Sequence, residues 1–368
     1  MSDNLRRYRA ILEALRQWYP SEPSGNRDRH LTTLAALISG IVASRSSQLP
    51  QIATKIPDGN KPESRVKRYS RWVGNERVSD TLYFLPYAEM LLACLALETL
   101  VLVIDGSAVG RGCVALMIHV VYKGRALPVA WLVREGKKGH FPEAMHIELV
   151  EHVQAFLPLG ATVVFLGDGE FDGPDLQQKL DQEGWWYVCR TALNTTAELE
   201  GQRFRLDVMG ACIKPGTIVA LQNVRVTKEA YGPVTTICGW AKGCEEPLYL
   251  VSNLASGHTA CHYYQKRYRI ETFFSDQKSR GFHLHKSHIS KAERLSRLLI
   301  ACCLAYLWVV YLGDLCERDG WREFIHRGSR CDLSLFQLGL RFLEHLLNEE
   351  LPIMVQFYLG IEEAKSVR

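Results

Sequence analysis

Two short apolar runs, each closing on an aspartate and a glycine, constrain this chain more than any other feature. Val101-Leu-Val-Ile leads into Asp105-Gly106, and Val163-Val-Phe-Leu-Gly leads into Asp168-Gly169. Such runs, without polar alternation, read as strands buried on both faces, the texture of a parallel sheet covered by helices. In open sheets of that kind, ligands sit outside the carboxyl ends of the strands. If the two strands are parallel neighbours, the two carboxylates emerge side by side, and hard oxygen donors suit Mg²⁺. Taken singly, each Asp-Gly is also ordinary turn chemistry. Glu170, Asp172 and Asp175 rival Asp168 but lie past the strand end, where the backbone constrains them less.

The rest of the pattern sets these strands in an α/β fold. Residues 1–96 read as a helical domain. Tyr8, Leu12, Leu15 and Trp18 share one face of Leu5–Tyr19, and further helices cover Leu31–Ala43 and Asp80–Cys94. Between them, Lys61–Arg71 is basic with a tyrosine inside it. It reads either as a solvated helix face or as a DNA-backbone contact through Arg65, Lys67, Arg68 and Arg71. Residues 97–191 form the first part of the core. After the Asp105 strand come strands at Val114–Tyr122 and Ala126–Val133, with tight turns around Gly110, Gly112 and Lys123-Gly124-Arg125. Helices at Pro142–Phe156 and Pro174–Gln182 alternate with strands at Ala161–Leu166 and Trp185–Cys189. Residues 192–247 read as a β-rich insertion. Residues 248–318 complete the core with a strand at Leu248–Val251, a long helix at Cys261–Gly281 and an apolar helix at Lys291–Leu315. A helical tail, 319–368, carries Leu335, Leu338, Phe342 and Leu346 in register.

Composition excludes several classes. With 368 residues, 47% hydrophobic and 23% charged, the chain is not disordered, collagenous or coiled-coil. Its formal net charge of +4 does not by itself announce a polyanion binder. Eleven cysteines without a CxxC pair, and a charged Met1–Trp18 opening without an apolar h-region, point to a reducing, cytoplasmic setting. Cys238, Cys244, Cys261 and His262 have a spacing that fits no standard zinc motif. Leu91–Ile104 is interrupted by Glu98, and Leu298–Gly313 falls short of the roughly twenty residues of a spanning helix, so both read as core and no membrane is implied.

The segment around Glu271 is the most informative. On a regular helix, Tyr264, Arg267, Glu271 and Lys278 fall in a stripe about 60° wide over about 21 Å. A glutamate flanked by cations and facing two strand-end aspartates can complete a metal site, with phosphates held on either side. From Tyr264 to Arg297 there are nine Lys/Arg against three Asp/Glu, with His283, His285 and His288 among them. That excess is the footprint expected for a polyanion partner. A plain surface helix would explain an Arg267–Glu271 pair but not the tyrosine, the lysine or the charge excess.

Tyr264-x2-Arg267-x3-Glu271-x6-Lys278 resembles the Y-(2)-R-(3)-E-(6)-K pattern of bacterial insertion-sequence DDE transposases, the insertion-sequence-four family. Val101–Gly106, Lys123–Trp131 and Gly167–Gly173 are similar to that family's first-aspartate strand, following strands and second-aspartate block, so the likeness covers about 98–315. It implies an RNase H-like catalytic core with a β-rich insertion, in which Asp105, Asp168 and Glu271 hold two Mg²⁺ ions, with Mn²⁺ as a substitute. The implied chemistry is cut-and-paste transposition, by phosphodiester hydrolysis and strand transfer. The implied partners are double-stranded DNA, as terminal inverted repeats and as target, and a second copy of the chain on DNA, in the bacterial cytoplasm at the nucleoid. Arg267 and Lys278 would clamp phosphates, and Tyr264 would contact another. Family members that form hairpins use an aromatic beside the motif arginine, here Tyr268, and one in the insertion, here Trp240 or Tyr249. Two other readings stay open: a metal-dependent nuclease or phosphatase, and a domesticated or inactive transposase that only binds DNA.

Overall fold

The computed structural model describes residues 1–19, 21–136, 141–326 and 332–359. The chain opens with helices α1 (Asp3–Gln17), α2 (Gly25–Ser44), α3 (Leu49–Thr54), α4 (Pro62–Val73), α5 (Asp80–Tyr83) and α6 (Leu85–Leu95). An antiparallel meander follows: β1 (Leu100–Gly110), β2 (Cys113–Tyr122) and β3 (Arg125–Glu135). Lys123 and Gly124 join β2 to β3 with φ of 40° and 76°, the double left-handed geometry that matches strand twist in a two-residue hairpin. Then come α7 (Glu143–Gln154), β4 (Val163–Gly167), α8 (Pro174–Gln182) and β5 (Trp186–Arg190). The expected β-rich segment contains β6 (Thr196–Leu199), β7 (Gln202–Arg205), α9 (Asp207–Ala211), β8 (Thr217–Val226) and β9 (Tyr231–Trp240), and β10 (Leu248–Ser252) returns. The chain continues with α10 (Gly257–Tyr264), α11 (Arg269–Gln277), α12 (Ala292–Arg318), α13 (Arg322–Ile325) and α14 (Leu335–Asn348).

All the described strands belong to one sheet, in the order β3-β2-β1-β4-β5-β10-β9-β8-β6-β7. β1, β4 and β5 are mutually parallel, and the other pairings are antiparallel. The β-rich segment therefore extends the core sheet rather than forming a sheet of its own. β10 is the seam, because it pairs with β5 on one side and β9 on the other.

The strand carrying Asp105 does not end there, as the residue pattern had implied. β1 runs on to Gly110 because its other edge keeps pairing with β2, with Asp105 opposite Met117. What stops is the neighbour: β4 ends at Gly167, and Asp105 stands just past the last parallel pair, Val103 with Leu166. Gly106 is a strand residue, not a turn. Its lack of a side chain admits the Phe141 ring, which a Cβ would meet at 2.5 Å.

α12 is long and apolar enough to cross a membrane by length and composition, yet its surface is buried inside the protein. It packs against β3, α2, α4 and α14. Two glycines permit the tight α12–α14 crossing: a Cβ on Gly313 would lie 2.0 Å from Leu335 O, and one on Gly339 would lie 1.8 Å from Val309 O. The apolar core is continuous from Ile11 to Leu359, so the N-terminal helices share it with the sheet layer.

Candidate active site

Register brings the first two acids together. β1 and β4 pair Leu100 with Val163 through Val103 with Leu166, which puts Asp105 level with Asp168 at the open end of the parallel strands. Asp168 follows β4 directly, and its Oδ1 accepts from the Glu170 N–H (3.0 Å). Asp105 Oδ1 accepts from the Gly106 N–H (2.7 Å).

The third acid arrives on a tightened helix. The expected single helix over 261–281 is divided into α10 and α11 by a turn at residues 265–268. Lys266, Arg267, Arg269, Ile270 and Glu271 each donate their backbone N–H to the carbonyl three residues back. That is 3₁₀-type winding, which advances about 120° per residue instead of 100°. The regular stripe is thereby rotated partway along, but the Arg267–Glu271 pair survives at 2.8 Å.

Arg267 is the hub. Its guanidinium lies 3.7 Å from Asp105 Oδ2, 3.5 Å from Asp168 Oδ2 and 2.8 Å from Glu271 Oε1. The three acids and Arg267 line one pocket of about 340 Å³ with Gly106, Ser107 and Phe274. Burial, and then the Asp168 charge, push the Asp105 carboxyl up to about 6 against the pull of Gly106 N–H and Arg267. Three carboxylates against one guanidinium leave an excess of negative charge that a divalent cation would relieve, and all the donors are hard oxygens. The residues present therefore fit Mg²⁺ or Mn²⁺ in kind. Among the described residues, no group of three or more His, Cys, Asp or Glu side chains is gathered closely enough to hold an ion, since the acids converge on Arg267 instead. Among the described residues, Cys238, Cys244, Cys261 and His262 are likewise not gathered into such a group.

The rivals of Asp168 have other work. Glu170 accepts from the Phe141 N–H (2.6 Å), Asp172 is hydrogen-bonded to Thr191, and Asp175 sits exposed in the first turn of α8.

The other motif residues surround the pocket. Lys278 caps the end of α11, and its Nζ donates to Ser107 Oγ (2.5 Å). Burial pushes the Tyr264 phenol up to about 12, and Arg267, Arg190 and Asp168 act on it electrostatically. Tyr268 is exposed, with the Arg269 guanidinium 4.4 Å over its ring. Part of the basic excess is structural: Arg294 donates to Ser70 and Arg297 to Val73 O and Val78 O, tying α12 to α4 and the loop after it. In α4, Arg65 and Arg68 are turned onto Asp58, while Lys67 and Arg71 are exposed.

One cation escaped the sequence reading. β4 and β5 pair Gly167 with Cys189, so Arg190 at the end of β5 continues the row formed by Asp105 and Asp168. Arg190, Asp168 and Tyr249 line an 810 Å³ cleft that runs from Asp168 toward the β7 and β9–β10 segments. The strand-end rule that picked out the two aspartates would have found it at the close of Trp-Tyr-Val-Cys-Arg190. Trp240, the other insertion aromatic, lies off this cleft and donates to Cys244 O (2.9 Å).

A mixed sheet delivers two aspartates at one end, and a helix brings a glutamate to the same pocket, so that three carboxylates surround one guanidinium. The profile of the Transposase DDE domain matches residues 99–308, more than half of the chain, and the chain belongs to that family. It is accordingly a DDE transposase, of a class of enzymes that cut and join DNA strands and generally use divalent metal ions. No curated protein matches the chain. Among solved structures, the cryo-EM structure of the piggyBac transposase synaptic complex with hairpin DNA is 11% identical, covering 100% of this chain and 88% of that one at TM-score 0.47. The crystal structure of human ENDOV is also 11% identical, covering 67% of this chain and 99% of that one at TM-score 0.26. At these scores neither likeness bears on activity.

Proposed function

We propose that this chain is a cut-and-paste transposase of the insertion-sequence-four type, acting on terminal inverted repeats and then on target DNA as a homodimer in the bacterial cytoplasm. The observation that carries the reading is the meeting of Asp105, Asp168 and Glu271 around Arg267 in one pocket. The half-sheet β3-β2-β1-β4-β5, three antiparallel strands followed by two parallel ones, supports reading it as the RNase H-like core. When bound, two Mg²⁺ or Mn²⁺ ions would activate the water or 3′-hydroxyl nucleophile and stabilise the leaving oxygen. Asp105, Asp168 and Glu271 are the side chains that would hold them.

The chain's own cations do the rest. Arg267, released from the acids, and Lys278 beside Ser107 flank the pocket and hold the scissile strand by its phosphates. Arg190 extends that grip into the larger cleft. Tyr249, though buried for most of its surface, contributes to the lining of this cleft, and Tyr268, next to Arg267 in the chain, is exposed; these are the two aromatics a hairpin intermediate would use.

A strand-cleavage assay on duplexes carrying the inverted repeats that flank the gene, with Mg²⁺ or with chelator, tests the reading. Metal-dependent nicking at the repeat boundary is expected, and absence of any cleavage at those ends would count against it. In the same assay Arg190→Gln is expected to lower cleavage about ten- to a hundredfold, the worth of one hydrogen bond to a charged group. Its melting temperature should not change, because the side chain is exposed. Wild-type cleavage by this variant would remove Arg190 from the DNA path.

A further inference from the structure

The cations of α4 fall into two sets, and only one is available to a ligand. Arg65 is nearly buried and donates to Ala53 O and to Asp58, and Arg68 donates to the other Asp58 oxygen (3.0 Å). The opposite end of α4 is fixed by Arg294 and Arg297 of α12. These ties set the rotation of α4 and leave Lys67 and Arg71 outward. Across from Arg71, the first turns of α2 present Arg29. Neither Arg29 nor Arg71 makes an ion pair among the described residues, and both are exposed.

The two helices enclose a cleft of about 500 Å³ lined by Arg29, Arg68 and Arg71, with Asn26 and Asn75 amides and Thr32 and Thr33 hydroxyls between them. The one acid in the lining, Asp28, is already engaged by Arg16 through Nε (2.9 Å) and a terminal nitrogen (2.7 Å). The cleft is braced from beneath by His30. Asn75 Nδ2 donates to its Nε2 (3.0 Å), its Nδ1 meets Tyr83 Oη (2.8 Å), and Trp72 Nε1 donates to its carbonyl (3.2 Å). Burial, and then Arg77, lower the His30 pKa, which favours the neutral ring in this brace.

Two exposed guanidinium groups lining one braced trough, with the Asn26 amide and the Thr32 hydroxyl as neutral polar groups along it, suit an evenly charged chain of phosphates. We propose that the α2–α4 cleft is a seat for the DNA backbone, with Arg29 and Arg71 as its phosphate contacts and Arg65 only a structural support. The proposal rests on the transposase reading for the identity of the polyanion. It adds α2 to the DNA-binding surface, which the basic run of α4 alone did not indicate.

The test uses the full-length protein and a fluorescein-labelled duplex carrying the inverted repeat, with affinity followed against salt. Arg29→Gln and Arg71→Gln should each flatten the slope of log affinity against log salt by about one, and the double variant by about two. Arg9→Gln, an equal charge change on exposed α1 outside the cleft, should leave the slope unaltered. Arg65→Gln should lower the melting temperature without changing the slope. Melting temperatures of the cleft variants should match wild type, since both side chains are exposed. A double variant that binds and responds to salt like Arg9→Gln would overturn the cleft while leaving the transposase reading intact if the wild type still cuts the duplex. Failure of the wild type to bind or cut any duplex would overturn both.

Discussion

Asp105→Asn is expected to abolish strand cleavage and, in metal-free buffer at neutral pH, to make the protein more stable. Both effects follow from the same crowding. Asp105 stands one strand from Asp168 at the same level, and burial and the Asp168 charge raise its folded pKa to about 6 from an ordinary 3.8. Between those values the folded state holds a proton that the unfolded state has released. Stability therefore falls as pH rises through that window, by about 3 kcal/mol in all once both states are ionised. Asparagine keeps the shape and removes the charge, so the variant should lose this pH dependence and melt several degrees higher at pH 7–8 with chelator present. Cleavage should fall by at least about a thousandfold, as for loss of a principal stabilising group. A variant that melts lower at neutral pH would show that Asp105 is not in an unfavourable field, and one that still cuts would show that it is not a ligand.

Arg125→Met should be among the most damaging substitutions outside the pocket. Arg125 opens β3, its guanidinium lies 2.7 Å from Asp276 Oδ2, and both side chains are buried. The pair pins α11, which carries Glu271, to the sheet. Removing one partner leaves a buried carboxylate whose folded pKa is raised to about 6 by burial even with Arg125 beside it. The expected loss is about 3–5 kcal/mol in urea unfolding, with cleavage lost as α11 loosens. Replacing both partners, as Arg125→Met with Asp276→Leu, should recover most of the stability, because apolar packing can substitute for a buried ion pair. If the double variant unfolds as easily as the single one, the pair is more than a charge balance. Recovery of stability without recovery of cleavage would mean that α11 needs the polar contact for its exact placement.

Much of the fold could be read from residue pattern because its elements are local. Pro174–Gln182 begins at its proline and stops before Gly184, and the Lys123-Gly124 turn announces its own hairpin. The pairing of Asp105 with Asp168 was readable only conditionally, since it depends on two distant strands being neighbours. What the pattern missed depends on partners far along the chain. β1 extends beyond Asp105 because β2 supports it. The β-rich segment joins the core sheet because β10 has two partners. The division of the α4 cations follows from Asp58, which precedes the helix, and from Arg294 and Arg297, which lie on α12. The 3₁₀ winding at 265–271 leaves no mark on an apolar period, so the residues assigned to one straight stripe are divided, with Tyr264 ending α10, Arg267 in the turn, and Glu271 and Lys278 on α11 and its cap.

The most direct test of the three-carboxylate centre is Glu271→Gln, because Glu271 reaches the site from a different part of the chain than the two aspartates. Binding to the inverted-repeat duplex should be measured in Ca²⁺ and cleavage in Mg²⁺ and Mn²⁺, on the same protein. Affinity within a few-fold of wild type, with cleavage reduced at least about a thousandfold in both metals, is the predicted result. Cleavage within tenfold of wild type would contradict it and remove Glu271 from the catalytic centre.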